Sequence, residues 1–276
     1  MSRHQDTVSA SFMDDISDTS KPVPRAFSGV DRLYGQGAHT RLAGACVMVV
    51  GVGGVGSWAV EAIARHGVGQ IVLVDMDNVA ESNINRQLQA LEPTLGMAKV
   101  DALGERIAQI NPRCQITRIE DFLTPDNVAF LLARAPDAVI DCTDQTSAKV
   151  AMAEYCHPAG IALFMAGAAG GRTDPTRIRH ADLGATQGDA LLARVRSLIR
   201  KNGRVRCERK EHFGIQAVYS AEPMRRPEAA SCDAERTALQ GLNCAGYGSS
   251  VCVTAGFGFA LASRAIEHLL TSAPRG

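Results

Sequence analysis

Residues 45–56 read ACVMVVGVGGVG, an apolar run rich in valine that leads directly into a glycine-rich loop. A short valine-rich run without polar interruption predicts a strand buried on both faces of a parallel sheet. Glycines in the order GxGGxG let the backbone turn tightly and approach phosphate oxygens, and the helix expected after the loop favours negative charge at its N-terminus. We therefore predict a nucleotide-binding loop at Gly51, Gly53, Gly54 and Gly56.

Strands and helices alternate on the C-terminal side of this loop. Further strands are predicted at residues 71–75, 115–119, 138–141 and 161–165, and helices at 57–65, 97–110, 147–156 and after Thr124-Pro125, with Thr124 as N-cap. This alternation predicts an α/β fold with a doubly wound, mostly parallel, Rossmann-like sheet.

The remaining segments suggest how the domain is organised. Residues 1–26 are polar and predict a disordered tail, so that a single domain covers 27–276. Within it, residues 45–170 form the nucleotide-binding core. Residues 172–245 form a smaller basic insert with a strand at 215–219, which we expect to bind substrate. An apolar C-terminal helix, from about Ser250 to Leu270, is expected to be buried against the sheet.

Length and composition limit the classes of protein that fit. The chain has 276 residues, 46% of them hydrophobic, and its formal net charge is zero, which excludes a global attraction to nucleic acid or anionic membranes. Its eight cysteines include no CxxC pair, which disfavours a zinc ribbon. No signal peptide is visible, so we expect a cytoplasmic protein, with loose membrane association of the C-terminal helix left open.

An acidic residue follows the second predicted strand. Asp75 lies about twenty residues after the glycine loop, where a carboxylate can accept hydrogen bonds from ribose hydroxyls. The loop and Asp75 alone favour an NAD-dependent enzyme, because that is the commoner use of the pattern.

The residues downstream change this interpretation. Arg86, in the run NINRQ at 83–87, and Lys99 supply two cations that can hold phosphates and neutralise charge on the α-phosphate. Asp144 follows a strand at the carboxyl edge of the sheet, where it can hold Mg²⁺. Together these residues suit a triphosphate with magnesium better than a dinucleotide. Asp77 is left open between a site residue and a turn residue, and Asp144 between a site residue and a helix cap.

The order GxGGxG, DxD, NxNRQ, GxxK and DxxD resembles the adenylating enzymes of the ubiquitin-activating superfamily, which include the activators of thiamine and molybdopterin sulfur carriers. That resemblance implies ATP-dependent adenylation of a carboxylate with release of pyrophosphate. It assigns the ribose to Asp75, and the magnesium and support for attack on the α-phosphate to Asp144. It places the side chains of Asn83, Arg86, Gln87 and Lys99 at the phosphates. Arg32, in the run RLYG, resembles the N-terminal arginine that reaches ATP across a homodimer interface.

A second set of motifs resembles one branch of that superfamily, the tRNA threonylcarbamoyladenosine dehydratases. These motifs are RLYG at 32–35, GAAGG at 167–171, DPT at 174–176 and NCAGYG at 243–248. The resemblance implies that the substrate carboxylate in tRNA is adenylated and that the neighbouring carbamoyl group then closes a ring. The missing CxxC pairs set the chain apart from many sulfur-carrier activators.

Basic residues crowd into one stretch of the insert. A basic patch contacts phosphates without selecting sequence, so we predict that this stretch binds tRNA, with a solvated helix face as the alternative. Its residues are Arg194, Arg196, Arg200, Lys201, Arg204, Arg206, Arg209 and Lys210.

Two cysteines are candidates for a chemical role. Cys142 lies between two aspartates, which discourages a thiolate, so we expect a structural role. Cys244 lies in a glycine-rich loop; a packing role is favoured, and a nucleophile or sulfur acceptor served by a cysteine desulfurase or sulfur-acceptor protein is the alternative. Glycine-rich carbonyl loops are also able to hold a monovalent cation, K⁺ or Na⁺, and the sequence leaves that open.

The sequence thus predicts an ATP-dependent tRNA dehydratase that works through an acyl-adenylate. The first alternative is adenylation of the C-terminus of a sulfur-carrier protein. An NAD-dependent oxidoreductase is disfavoured by the NxNRQ run and Lys99. A non-catalytic RNA-binding module is disfavoured by the intact set of ATP-binding motifs.

Overall fold

The computed structural model describes residues 24–205, 212–225 and 247–272. Its strands are β1 (Cys46–Val50), β2 (Gln70–Val74), β3 (Gln115–Ile119), β4 (Ala138–Asp141), β5 (Ala162–Ala166), β6 (Ile178–Asp182) and β7 (Gln216–Ser220). Its α-helices are α1 (Ser28–Tyr34), α2 (Ala38–Gly44), α3 (Gly56–Arg65), α4 (Lys99–Ile110), α5 (Val128–Leu132), α6 (Thr146–Cys156), α7 (Ala190–Asn202) and α8 (Val251–Thr271).

All seven strands belong to one sheet, in the order β3-β2-β1-β4-β5-β7-β6. Every pair is parallel except β6 with β7. The direction of winding reverses between β1 and β4, and open sheets of this kind bind ligands in the crevice beyond the carboxyl ends of the strands at such a reversal. The predicted doubly wound, mostly parallel sheet is confirmed.

Successive side chains of the buried strands supply two separate cores. In β1, Val47 and Val49 face the layer of α1 to α4 and α8, whereas Met48 and Val50 face α5, α6 and α7. Side chains alternate across a strand, so one valine-rich run can serve both faces at once. This explains why the strand pattern in residues 45–50 is continuous rather than alternating.

Two local predictions need correction. The helix predicted after Thr124 begins only at Val128, because Asn127 Oδ1 accepts the Thr124 N–H at 2.8 Å and the chain first makes a turn. The strand β6 was not predicted, since its sequence, IRHAD, has no apolar alternation. It is held by its antiparallel ladder with β7, so the described part of residues 172–245 contributes two strands to the common sheet.

The predicted tail falls largely outside the described residues, which begin at Pro24. Arg25–Phe27 form a 3-10 turn at the predicted domain boundary. This turn is held in place by Phe27, which is buried and stacks on His39 with ring centroids 5.4 Å apart.

The C-terminal helix α8 packs closely on α3, as predicted for a buried helix. A Cβ atom added at Gly258 would lie 2.5 Å from the Val55 carbonyl oxygen, so only glycine allows this approach. Within residues 24–205, 212–225 and 247–272, no helix combines the length and the apolar character that a membrane span requires.

Candidate active site

A cavity opens at the carboxyl edge of the sheet, where the winding reverses. Nine of the twelve predicted ATP-binding residues line it: Gly51, Gly53, Gly54, Asp75, Asp77, Arg86, Gln87, Lys99 and Asp144. These residues come from the glycine loop, the end of β2, the loop before α4, the start of α4 and the turn after β4. The structure thus brings together motifs that are up to 93 residues apart in the sequence, from Gly51 to Asp144.

The glycine loop is held by close contacts that exclude side chains. Gly51 has a φ of +80°, in the left-handed region that favours glycine. A Cβ atom at Gly56 would lie 1.9 Å from the Gly51 carbonyl oxygen, so the loop could not close over any other residue. Gly56 therefore supports the loop from behind and does not itself line the cavity.

Asp75 has a second role that its motif did not reveal. Its Oδ2 accepts the Val52 N–H at 2.8 Å and its Oδ1 accepts the Asp77 N–H at 2.9 Å. Burial raises the pKa of the Asp75 carboxyl above its usual value, and the charge of Lys99 opposes that rise. The carboxylate thus ties the glycine loop to the end of β2 and still faces the cavity.

Lys99 begins α4 and is held by two carboxylates. Its Nζ lies 2.6 Å from Asp77 Oδ2 and 3.8 Å from Asp75 Oδ1, and its side chain is buried. Asp77, which the sequence left between a site residue and a turn residue, therefore lies in the cavity and pairs with this cation.

Arg86 and Gln87 cover the glycine loop. The aliphatic part of Arg86 lies over Gly54, where an added Cβ would be 3.3 Å from Arg86 Cγ. Its Nη1 donates to the Ser82 carbonyl at 2.6 Å, and its own carbonyl accepts the Trp58 indole N–H at 3.0 Å. The amide oxygen of buried Gln87 accepts from Gln89 at 3.2 Å, which orients its NH₂ group.

Two predicted ATP-binding side chains lie elsewhere in this chain. Asn83 is buried, and its Oδ1 accepts the Ala80 N–H at 3.1 Å, so it stabilises the turn that carries Arg86. Arg32 lies on α1, whose last residue, Tyr34, contacts His66 at the C-terminal end of α3. The glycine loop is at the other end of that ten-residue helix, roughly 15 Å away at 1.5 Å per residue. Arg32 therefore lies far from the cavity of its own chain.

The turn after β4 presents Asp144 to the cavity. Asp144 is exposed, and it makes no helix-capping hydrogen bond in the described structure. Beneath it, Asp141 Oδ1 accepts both the Thr143 N–H at 3.0 Å and the Thr143 hydroxyl at 2.8 Å. Burial raises the pKa of the Asp141 carboxyl, and nearby Lys149 opposes the rise.

The electrostatics of the cavity combine fixed charges with helix ends. Among the described residues, four carboxylates and two cations line it: Asp75, Asp77, Asp121 and Asp144, with Arg86 and Lys99. Helices α3, α4 and α6 begin beside it, and their N-termini favour anions. This arrangement can hold a polyanion, provided that a further cation offsets the excess of carboxylates.

Some lining residues belong to none of the motifs that predicted the ATP site. They are Asp121, Phe122 and Leu123 after β3, Gln145 and Ala148 at the start of α6, and Ser249 and Thr254 around the start of α8. The first three follow a strand that neighbours β2, so the rule that ligands bind beyond parallel strand ends would have identified them. Ser249 and Thr254 carry no such signal, because α8 reaches the site only through tertiary packing.

Those predicted tRNA-binding side chains that the structure describes do not form a single patch. Arg194 and Lys201 are seven residues apart on α7 and therefore lie on the same side of this helix. Arg204, which is exposed, pairs with Glu154 of α6 at 3.3 Å. Arg196 is half-buried and donates to the Thr186 hydroxyl, so it is mainly structural. Arg200 lies over the Phe213 ring on the other flank, at 5.5 Å from its centroid. The predicted Arg206, Arg209 and Lys210 lie outside the described residues.

Of the two cysteines considered above, the structure describes Cys142 but not Cys244. Burial raises the pKa of the Cys142 thiol far above its usual value, and its Cβ packs against Gly56, in agreement with a structural role. Cys244 lies outside the described residues, so its role stays a prediction. Within the described ranges, no group of three or more His, Cys, Asp and Glu side chains is arranged to hold a metal ion.

Comparison with known proteins places this site in context. A family model described as the ThiF family matches residues 29–274. The chain is 43% identical to tRNA threonylcarbamoyladenosine dehydratase of Haemophilus influenzae over 88% of this chain and 93% of that protein. Crystal structures of E. coli tRNA N6-threonylcarbamoyladenosine dehydratase, TcdA, in complex with AMP and with ATP, are each 40% identical with a TM-score of 0.79. Each alignment covers 88% of this chain and 93% of that chain.

Proposed function

The chain belongs to the ThiF family and, within it, to the tRNA threonylcarbamoyladenosine dehydratases, and from this membership we propose that it dehydrates threonylcarbamoyladenosine in tRNA to its cyclic form at the expense of ATP. The observation that carries the proposal is the cavity itself, which gathers Asp75, Arg86, Lys99 and Asp144 around the glycine loop. Crystal structures of a 40%-identical relative with ATP and with AMP support the same use of the site.

The proposed reaction has two steps. A carboxylate oxygen of the threonyl group attacks the α-phosphorus of ATP, which forms an acyl-adenylate and releases pyrophosphate. The neighbouring carbamoyl group then attacks the acyl carbon, closes a five-membered ring and expels AMP. The substrate loses one water in total. The second step is intramolecular and gains from proximity, so no covalent enzyme intermediate is required.

The positions of individual side chains support the following roles. Asp75 accepts hydrogen bonds from the ribose, and the glycine loop with the N-terminus of α3 holds phosphates. Arg86 and Lys99 neutralise the charge that develops on the α-phosphate. To contact the phosphate, Lys99 has to leave Asp77, whose carboxylate oxygen Oδ2 lies 2.6 Å from Lys99 Nζ in this structure. The NH₂ group of Gln87, oriented by Gln89, is a further phosphate donor.

The donor set also fits Mg²⁺ bound together with the nucleotide. Mg²⁺ in such sites takes one or two carboxylates and completes its shell with phosphate oxygens and water. Asp144 is an exposed carboxylate at the cavity, and the excess of carboxylates over cations there requires a compensating charge when ATP binds. When bound, the ion would withdraw charge from the phosphates, and Asp144 is the residue that would hold it. A K⁺ or Na⁺ ion remains a prediction from the sequence.

The tRNA surface is proposed on the flank of α7 that faces α6. Arg194, Lys201 and Arg204 are exposed there, whereas Arg196 is tied to Thr186. The N-terminus of α7 adjoins the site: its cap Asp189 accepts the Ala168 N–H at 2.9 Å, and Ala169 lines the cavity. A tRNA backbone on this flank would therefore lie beside the cavity.

We propose that the protein forms a homodimer, and that it is located in the cytoplasm. Arg32 is exposed and far from its own cavity, so it can contact ATP only in a partner's cavity. A cysteine desulfurase or sulfur-acceptor protein as a partner rests on Cys244 and stays a prediction.

One experiment tests the function. The protein is incubated with ATP, Mg²⁺ and tRNA that carries the open-chain threonylcarbamoyladenosine, and the nucleosides are weighed after digestion. We expect loss of one water from the modified nucleoside, with AMP formed in equal amount. An unchanged nucleoside, together with pyrophosphate exchange that depends on a sulfur-carrier protein, would instead favour the alternative.

A further inference from the structure

A buried ion pair lies directly below the turn that carries Asp144. Asp141 ends β4 and Lys149 lies in α6; both side chains are completely buried, with Lys149 Nζ 3.1 Å from Asp141 Oδ2. The neighbours of Lys149 along α6, such as Ala148, Val150 and Met152, belong to an apolar core. A lysine in such surroundings needs a charged partner, and a buried pair of this kind is not by itself a source of stability.

The pair is connected to the cavity through one carboxylate. Asp141 uses Oδ2 for Lys149 and Oδ1 for the backbone N–H and hydroxyl of Thr143. Thr143 immediately precedes Asp144, and both line the cavity. The position of Asp144 is thus fixed by a chain of contacts that begins at Lys149, which is not itself among the lining residues.

The same turn also supports the glycine loop. The Cys142 N–H donates to the Val50 carbonyl at 2.8 Å, and a Cβ atom at Gly51 would lie 3.1 Å from the Cys142 carbonyl and from the Thr143 nitrogen. Residue 142 is thus held to β1 independently of Asp141, so loss of the Thr143 acceptor is expected to displace Asp144 and to leave the glycine loop supported.

We propose that Lys149 is a positioning residue for the nucleotide site: it holds Asp141, which through Thr143 sets Asp144 at the cavity. This inference rests on the proposed role of Asp144 in holding Mg²⁺ with ATP. Lys149 contacts neither substrate in this account. Partners behind a metal ligand commonly change metal affinity or activity about 10- to 100-fold when they are replaced.

The test separates positioning from stability by means of a double variant. In Lys149→Met alone, Asp141 is left buried and unpaired, so the protein is expected to lose stability and its thermal midpoint falls. In Asp141→Leu/Lys149→Met both charges are removed and an apolar core remains, so the thermal midpoint is expected to recover. The acceptor for Thr143 is nevertheless lost in the double variant.

The readout is ATP affinity by calorimetry with and without Mg²⁺, measured on the full chain, alongside kcat for tRNA dehydration. For the double variant we expect the ATP affinity without Mg²⁺ to stay within about threefold of wild type, while the tightening by Mg²⁺ and kcat each fall about 10- to 100-fold. Glu61→Gln is the matched control, since Glu61 is a buried carboxylate paired with Arg65 and Arg106 on α3 and α4. It should lower the thermal midpoint and leave the Mg²⁺ dependence unchanged.

A double variant with wild-type Mg²⁺ dependence and wild-type kcat would overturn the inference and leave Lys149 as a structural residue. This outcome differs from failure of the proposed function, in which the wild-type protein itself would not dehydrate the tRNA. The calorimetric comparison can be made in either case, because it does not require tRNA.

Discussion

The nucleotide site and the basic helix α7 behave in opposite ways. Charged residues that are far apart in the sequence, Asp75, Lys99 and Asp144, converge on one cavity. Charged residues crowded into one helix, from Arg194 to Lys201, diverge to two flanks of α7. The difference arises because parallel strands all end at the same edge of a sheet, whereas a helix turns successive side chains by about 100°. Proximity in sequence is therefore the poorer guide to a shared site.

The largest effect is expected when the Asp144 carboxylate is removed from the cavity. Asp144→Ala should abolish dehydration, with kcat reduced about 10³-fold or more, because the group that would hold the metal at the reacting phosphate is lost. ATP affinity without Mg²⁺ serves as the control and should change little. Persistent turnover would show that Asp144 is misassigned.

Substitutions of two glycines separate loop support from phosphate contact. Gly56→Ala places a Cβ atom 1.9 Å from the Gly51 carbonyl, so we expect a lower thermal midpoint and an ATP affinity reduced at least about 30-fold. Gly53→Ala meets its nearest atom at 3.6 Å, so it should keep its thermal midpoint and lose only ATP affinity. Calorimetry and thermal unfolding measure both quantities. Equal stability of the two variants would contradict the contact that the structure shows.

The division of α7 into two flanks can be tested by charge reversal. Arg194→Glu/Lys201→Glu should lower tRNA affinity about tenfold or more, with ATP binding intact. The slope of log affinity against log salt concentration should become shallower by roughly two, as expected for the loss of about two phosphate contacts. Arg200→Glu, on the Phe213 flank, is the matched comparison and should have a smaller effect. Binding is measured by filter retention over a range of salt concentrations. A larger effect at Arg200 would place the tRNA on the other flank, and an unchanged affinity in both variants would remove α7 from the tRNA surface.

The smallest effect is expected at Cys142, although this residue borders the cavity. Cys142→Ala should keep kcat within about threefold of wild type, because ring closure needs no thiol. Burial raises the pKa of this thiol, so alkylation at neutral pH should spare Cys142 and modify the exposed Cys252. Peptide mass mapping checks this. Rapid alkylation of Cys142 would contradict the structural role that we expect for it.

The strands and helices that were predicted correctly are those in which apolar residues follow a regular spacing. The strands β1 to β5 and helices α3, α4 and α6 were recognised because a buried strand and a helix each have their own periodicity. The position of the cavity was predicted from the order of the motifs and from the rule that ligands bind beyond the carboxyl ends of parallel strands. β6 was missed because its residues depend on the ladder with β7, and the start of α5 was misplaced because Asn127 competes for the Thr124 amide.

Other features depend on tertiary contacts that no local pattern encodes. Asn83 belongs to a recognised motif, yet it stabilises a turn, and the motif does not distinguish a residue that contacts ligand from one that orients its neighbour. The Asp141–Lys149 pair was not predicted, because Lys149 resembles an ordinary helix lysine until its burial is known. The half-buried state of Arg196 is likewise set by Thr186.

Transfer of an oxygen isotope from the substrate to AMP distinguishes an acyl-adenylate intermediate from other routes. tRNA is prepared with ¹⁸O in the threonyl carboxylate of the modified nucleoside and is incubated with the protein, ATP and Mg²⁺. If the carboxylate attacks the α-phosphorus, the AMP that is expelled on ring closure carries one ¹⁸O atom, which mass spectrometry detects. AMP without ¹⁸O, formed together with the dehydrated nucleoside, would contradict adenylation of the carboxylate.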